Sequence, residues 1–310
     1  MLSRYRARAA AVAASLALLV SGCSTSFAFG LGDPGGRIFA VGAESEYANV
    51  IQQVGGKYVQ VRAVLSNPNT DPHAFEASAA VGRLLNEAQL VVQNGVGYDT
   101  FMNTIEGAVP SSSRKLIVVQ DLLALPDSTP NPHLWYRPGT MSAVANAVAA
   151  GLAAIQPAHA GYFQAHAAAF DRSLTAWTSA ITAVKNEYPG TAVATTEPVA
   201  DYLLQALGAR NLTTWAFQAD IMNGTDPSAQ DVAAERNLFT QHLVKVLVYN
   251  QQVTDSLTES FISLAKANGI PVVGVYETMP ESGYDYQSWM LAEVQALRNA
   301  IANHTSTEHL

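Results

Sequence analysis

The sequence predicts an α/β protein of two lobes, each a mostly parallel sheet flanked by helices, joined by a long rigid interlobe helix. Three observations carry this. Apolar, β-branched runs alternate with helix-patterned stretches in the first part of the chain. The same alternation returns in the last part. Between them lies an Ala-rich stretch, residues 139–185, with almost no strand character. Strands alternating with helical patterns are the mark of βαβ units and a parallel sheet.

In the first lobe, residues 37–138, strands are expected at 37–43, 58–65, 90–93 and 116–120, with helices near 45–54, 76–88 and 98–107. The interlobe segment, residues 139–187, is interrupted at Pro157. Proline is tolerated in the first turn of a helix, so one helix ends near Ile155 and another starts near Ala158. In the second, Phe163, Phe170, Leu174, Trp177, Ile181 and Val184 recur at helical steps and form one apolar stripe. At the α-helical rise, 158–186 would be roughly 40 Å long, enough to run the height of both lobes. The last lobe, residues 188–310, offers strands at 191–196, 212–217, 244–250 and 271–276, with helical patterns at 198–208, 228–241, 254–268 and 284–303.

The first 22 residues read as an export signal: Arg4, Arg6 and Arg8, an apolar run over 9–20, then small residues. Val20-Ser21-Gly22-Cys23 resembles a bacterial lipobox, in which cleavage before Cys23 leaves a lipid-anchored amino terminus. The other reading is an ordinary secretory signal with an incidental cysteine. Cys23 is the only cysteine, so no intrachain disulfide can form. Residues 23–36 are small and Gly-rich, which suits a flexible tether. Removal of 1–22 leaves 14 of the 17 basic residues against 25 acidic ones, moving the net charge from −8 to −11. Such a chain is a poor candidate for nucleic acid and a mild attractor of cations. The remaining residues suffice for one large or two medium domains with substantial cores, and a monomer is expected.

Two short segments repeat one pattern 60 residues apart: Asp71-Pro72-His73-Ala74-Phe75 and Asn131-Pro132-His133-Leu134-Trp135. Each proline stiffens the loop that delivers its histidine, and imidazole is a common ligand of transition metals. Open α/β sheets bind ligands outside the carboxyl ends of their strands, and two acids stand at such ends: Glu197 after 191–196 and Glu277 after 271–276. Two neutral imidazoles and two carboxylates balance one divalent ion, whereas without metal the carboxylates repel. His159 and His166 fall on the interlobe helix, on a face read as solvated. They, His242, His304 and His309 receive no role, and Trp135 and Phe75 are read as walls of the site.

With these residues in this order, the chain resembles the metal-binding lipoproteins of bacterial ABC importers for zinc and manganese, the cluster A-I substrate-binding proteins, over nearly all of 37–303. DPHAFEAS (71–78) and NPHLWYRPG (131–139) look like the family's two histidine motifs, VATTEPVADYLLQALG (193–208) like the segment of its third ligand, and VVGVYETMPESGYDYQSWM (272–290) like that of its fourth. AAIQPAHAGYFQAHAAAFDRSLTAW (153–177) is similar to its interlobe helix. The resemblance implies His73, His133, Glu197 and Glu277 as metal ligands. The family usually has Asp at the fourth position, which keeps Asp285 as the alternative. The His-rich loop of many zinc carriers is absent: residues 121–132 contain no histidine.

The implied function is capture of one divalent ion as cargo, Mn²⁺ slightly preferred over Zn²⁺. The protein would sit outside the cytoplasm, lipid-anchored through Cys23 to the outer face of the cell membrane, with an ABC permease and its ATPase as partners and no catalysis. Oxygen-rich sites suit the harder Mn²⁺, while Zn²⁺ leads in intrinsic affinity and is expected to bind in vitro. The first rival is a metal-dependent hydrolase, since two His and two acids can hold a zinc-bound water. Neither a helical His-Glu-x-x-His motif nor a Gly-x-Ser-x-Gly elbow is present. The second rival is a helix-linked carrier of a metal chelate, such as a siderophore or corrinoid.

Overall fold

The computed structural model describes residues 36–68, 75, 78–280 and 283–310. Its first lobe runs β1 (Ile38–Glu44), α1 (Ser45–Gly55), β2 (Val59–Leu65), α2 (Ala79–Glu87), β3 (Leu90–Gln93), α3 (Thr100–Ala108), β4 (Lys115–Val118) and the single turn α4 (Val119–Leu122). The sheet order is β2-β1-β3-β4, all parallel. β1 is buried along nearly its full length, as a central strand covered on both faces must be. Gly42 allows the tight β1–α1 connection, because a Cβ there would lie 2.4 Å from the backbone nitrogen of Ala48.

Three helices follow: α5 (Thr140–Ile155), α6 (Ala160–Ser173) and α7 (Thr175–Glu187). The break at Pro157 falls where proline predicts it. The second helix is not one straight rod. It is interrupted at Leu174, whose N–H is shared between the carbonyls of Phe170 and Asp171 at 3.3 Å each. Bifurcation of that kind is a helix-end pattern. All six stripe residues are nevertheless buried. α5 lies close on the first sheet, since a Cβ on its Gly151 would come within 2.8 Å of Leu90 Cδ1.

The last lobe contains β5 (Ala192–Thr195), α8 (Asp201–Ala206), β6 (Arg210–Asn211), α9 (Trp215–Met222), α10 (Ala229–Thr240), β7 (Val246–Asn250), α11 (Ser256–Ala267), β8 (Val272–Val275) and α12 (Tyr286–Asn303). Its sheet repeats the first, with parallel order β6-β5-β7-β8. One expectation is corrected: residues 212–217 do not form a strand. The strand is the two-residue β6 just before, and Thr214 caps α9, its hydroxyl accepting from the Phe217 N–H. An N-cap that satisfies an otherwise unpaired amide outweighs a short run of β-formers.

Outside the first sheet, Val41, Leu85, Val91 and Met102 form one apolar layer. Outside the second, Phe217, Phe239, Leu247 and Phe261 form another. The inner sides of both lobes share a single core centred on Trp135, Tyr136, Trp177, Tyr286 and Trp289. Both sheets therefore direct their carboxyl ends toward a common crevice whose floor is aromatic.

Candidate metal centre

In each sheet the strand order reverses between two neighbours, β1 and β3 in the first, β5 and β7 in the second. Such reversals open a crevice at the carboxyl ends. At the second, Glu197 follows β5 and Asn250 ends β7, while Glu277 follows β8. All three are buried, at 3%, 1% and 0% exposure. His133, fully buried, arrives from the first lobe in the loop ahead of α5.

The imidazole is held from behind. Asn131 Oδ1 accepts from the His133 backbone N–H at 3.0 Å and lies 2.8 Å from His133 Nδ1. The orientation of that amide is set by its other end, since Asn131 Nδ2 donates to the Pro198 carbonyl at 2.8 Å. With an oxygen beside it, Nδ1 is placed to donate, and Nε2 faces Glu277 Oε2 at 3.2 Å. A proton on Nε2 or a cation held by both groups satisfies that contact.

Glu277 is shared by both lobes. Tyr98, in the loop after β3, donates to its Oε2 at 2.9 Å, and Asn250 Nδ2 donates to its Oε1 at 2.6 Å. The same Asn250 nitrogen donates to Glu197 Oε1 at 3.1 Å. Burial, followed by the charge of Glu277, pushes the Tyr98 phenol well above its usual pKa, so it stays a donor. Its loop is strained: Val96, a β-branched residue, has φ 54° between Gly95 and Gly97, both also at positive φ. Asp99 holds that loop, its carboxylate accepting from the backbone of Asn94 at 2.6 Å and Gly95 at 2.9 Å. Trp135 stands edge-on to both His133 and Tyr98, with ring centres 5.4 and 5.0 Å away, as a wall.

His73 and Cys23 lie outside the described residues. Asp285 is not brought to the crevice. It is exposed and caps α12, accepting from the Ser288 N–H at 2.8 Å in a reciprocal capping box. His159 and His166 are not on a solvated face as expected. They are half-buried, stacked on Tyr58 and Tyr162 at 3.8 and 3.9 Å, which accounts for both as packing residues. Among the described residues no three His, Cys, Asp or Glu side chains converge on one point. His133 and Glu277 form a pair, and Glu197 joins them through Asn250.

Sequence reasoning missed Tyr98 and Asn250. Asn250 is the last residue of β7 and Tyr98 lies in the loop that follows β3, so the strand-end rule that singled out the two glutamates points to both. It also missed a buried acidic group on the first-lobe side of the crevice. Burial raises Glu44 well above the usual carboxylate range, Glu46 to about 8 and Asp99 to about 6, with the charge of Glu277 adding to the rise at Glu46.

Residues 41–300 match the family described as zinc-uptake complex component A, periplasmic (ZnuA). The manganese-binding lipoprotein MntA of Bacillus subtilis is 22% identical over 277 residues, covering 84% of this chain and 85% of MntA. The fold is that of the periplasmic zinc-binding protein TroA from Treponema pallidum, with a TM-score of 0.74, 18% identity and coverage of 86% of this chain and 100% of TroA. It is also that of the substrate-binding protein FpvC from Pseudomonas aeruginosa, solved with Mn²⁺, at TM-score 0.71, 21% identity and coverage of 86% and 99%. With the match spanning both lobes and every described residue of the crevice, the chain belongs to the ZnuA family of periplasmic metal-uptake components.

Proposed function

We propose that the protein captures one divalent transition-metal ion outside the cytoplasm and hands it to an ABC permease with its ATPase, performing no chemistry on it. The observation that carries this reading is the approach of His133 Nε2 to Glu277 Oε2 at 3.2 Å, in a buried crevice that also holds Glu197. A divalent ion held by these groups neutralises both carboxylates. His73 completes the set as the fourth ligand, on the strength of its Asp-Pro-His motif. Cys23 provides the lipid anchor, and the protein acts as a monomer.

Mn²⁺ is the proposed cargo, because two of four ligands are carboxylates, and Zn²⁺ also binds in vitro. The hydrolase reading has no support from the family match, which is to an uptake component. Equilibrium dialysis with either ion is expected to show one tight site per chain. Two or more tight sites, or none, would refute the reading. Elemental analysis of protein purified without chelator identifies the ion carried.

A further inference from the structure

The loop that carries His133 runs out of the first lobe ahead of α5, yet it is fastened to the second lobe at both ends and in the middle. At its start, Asn131 Nδ2 donates at 2.8 Å to the carbonyl of Pro198, the residue after Glu197, and Tyr202 OH donates to the Asn131 carbonyl at 2.9 Å. In the middle, Tyr286 OH, from the first turn of α12, donates to the Trp135 carbonyl at 2.6 Å. At its end, the Tyr136 hydroxyl meets both backbone groups of Tyr276, the residue before Glu277. Its proton faces the Tyr276 carbonyl at 2.8 Å and Glu293 Oε1 at 3.2 Å, and its oxygen accepts from the Tyr276 N–H at 3.2 Å. The first lobe reaches the same loop through Asn94 Nδ2, which donates to the Pro132 carbonyl at 2.8 Å.

The loop is thus tied, on either side of His133, to a residue that adjoins one of the two glutamates. β8 ends at Val275, so the backbone of Tyr276 lies beyond the sheet ladder and finds its partner in the fully buried Tyr136 hydroxyl. Resting on the metal-capture reading, we propose that Tyr136 is a positioning residue, whose hydroxyl fixes the His133 loop to the end of β8 and so sets the spacing of His133 from Glu277 before an ion arrives. Three residues separate the phenol from His133 in the chain, and one residue separates its backbone partner from the carboxylate across the crevice. Ligands held in place in advance need not be ordered by the ion, and that ordering would otherwise be lost from its affinity.

The test measures Mn²⁺ and Zn²⁺ affinity, by chelator competition, in the full-length wild type, Tyr136→Phe and Asp285→Ala, at a temperature where each is folded. Tyr136→Phe keeps the ring and removes only the hydroxyl. Affinity for both ions is expected to fall at least tenfold in this variant, whereas Asp285→Ala, which loses stability through a helix cap, should keep the wild-type value. When Glu277→Gln is already present, Tyr136→Phe should cost less than threefold, because the carboxylate whose place it holds is gone. Unchanged affinity in Tyr136→Phe, or a loss just as large in the Glu277→Gln background, overturns the proposal. Tyr286→Phe, which frees the neighbouring Trp135 carbonyl, is measured with the same expectations if Tyr136→Phe does not fold. A wild type that binds neither ion overturns the capture reading as well, which separates the two failures.

Discussion

The orientation of one imidazole ring connects the sequence to the chemistry. Asn131 gives His133 its tautomer, as outer groups around metal-bound histidines do, and the Asn-Pro-His spelling places that amide two residues ahead of the ring. His133→Ala is expected to weaken Mn²⁺ or Zn²⁺ binding by orders of magnitude, as is His73→Ala. His159→Ala and His166→Ala should leave affinity unchanged within error, and an equal loss from these two in a chelator competition would place the site elsewhere. Glu277→Gln keeps the shape and removes the charge, leaving the ion with one uncompensated positive charge. Affinity should fall at least about tenfold, roughly 1.4 kcal/mol. Asp285→Asn should change it little. His133 and the two glutamates were legible as candidates because their residue types and positions carry chemistry. Tyr98 and Asn250 were not, because a tyrosine or asparagine at or beyond a strand end is common and only its partners distant in the chain give it a role.

Caps decided the local outcomes that patterning left ambiguous. Residues 212–217 have the composition of a strand, yet Thr214 opens α9, and the sheet takes only Arg210–Asn211. Asp285, weighed as a ligand, satisfies the first turn of α12. Asparagine caps about as well as aspartate, so Asp285→Asn tests the ligand role without disturbing the helix. Asp285→Ala removes the cap and should lower stability by about 1 kcal/mol. Urea denaturation is expected to show a lower midpoint for Asp285→Ala while metal affinity is retained. Loss of metal binding in both variants would give Asp285 the ligand role instead. The stripe from Phe163 to Val184 predicted a buried helical face correctly, and the turn at Leu174 escaped it because a stripe is silent about a one-residue interruption that keeps the face.

Stability of the protein should respond to pH through two opposing effects. Glu293, fully buried on α12, accepts from Trp289 Nε1 at 3.0 Å and Tyr136 OH at 3.2 Å, and burial raises it to about 8. Glu235 and Glu46 are raised to about 8 by the same cause. For each, the folded state holds a proton that the unfolded chain releases above its ordinary pKa near 4.5. The folded state then binds more protons, so stability falls as pH rises from about 4.5 to about 8 and levels beyond. Glu293→Gln removes one such group with its shape kept. The melting temperature of this variant should exceed that of wild type at pH 8 and match it near pH 4.5. A difference independent of pH would exclude the buried proton.

Bound metal acts in the other direction. An ion that binds only the folded state raises Tm as it saturates the site, and that gain should fade as pH drops below about 6.5, where imidazole takes up protons in competition. An equal metal-induced shift at pH 5 and pH 7.5 would argue against histidine ligation.

Periodicity and strand-end position were enough to derive two parallel α/β lobes, a helical connection and a shortlist of ligand-type residues, because hydrophobic spacing and proline chemistry act over a few neighbours along the chain. The pairing of His133 with Glu277, the amide bridge from Asn250 to two carboxylates and the phenol of Tyr98 reaching from the other lobe depended on the fold. Each joins residues between 27 and 179 positions apart. The first and last of these form only when two sheets bring their strand ends to one crevice, the bridge only when neighbouring strands of one sheet align theirs, and a local pattern holds no record of which distant group will meet it there.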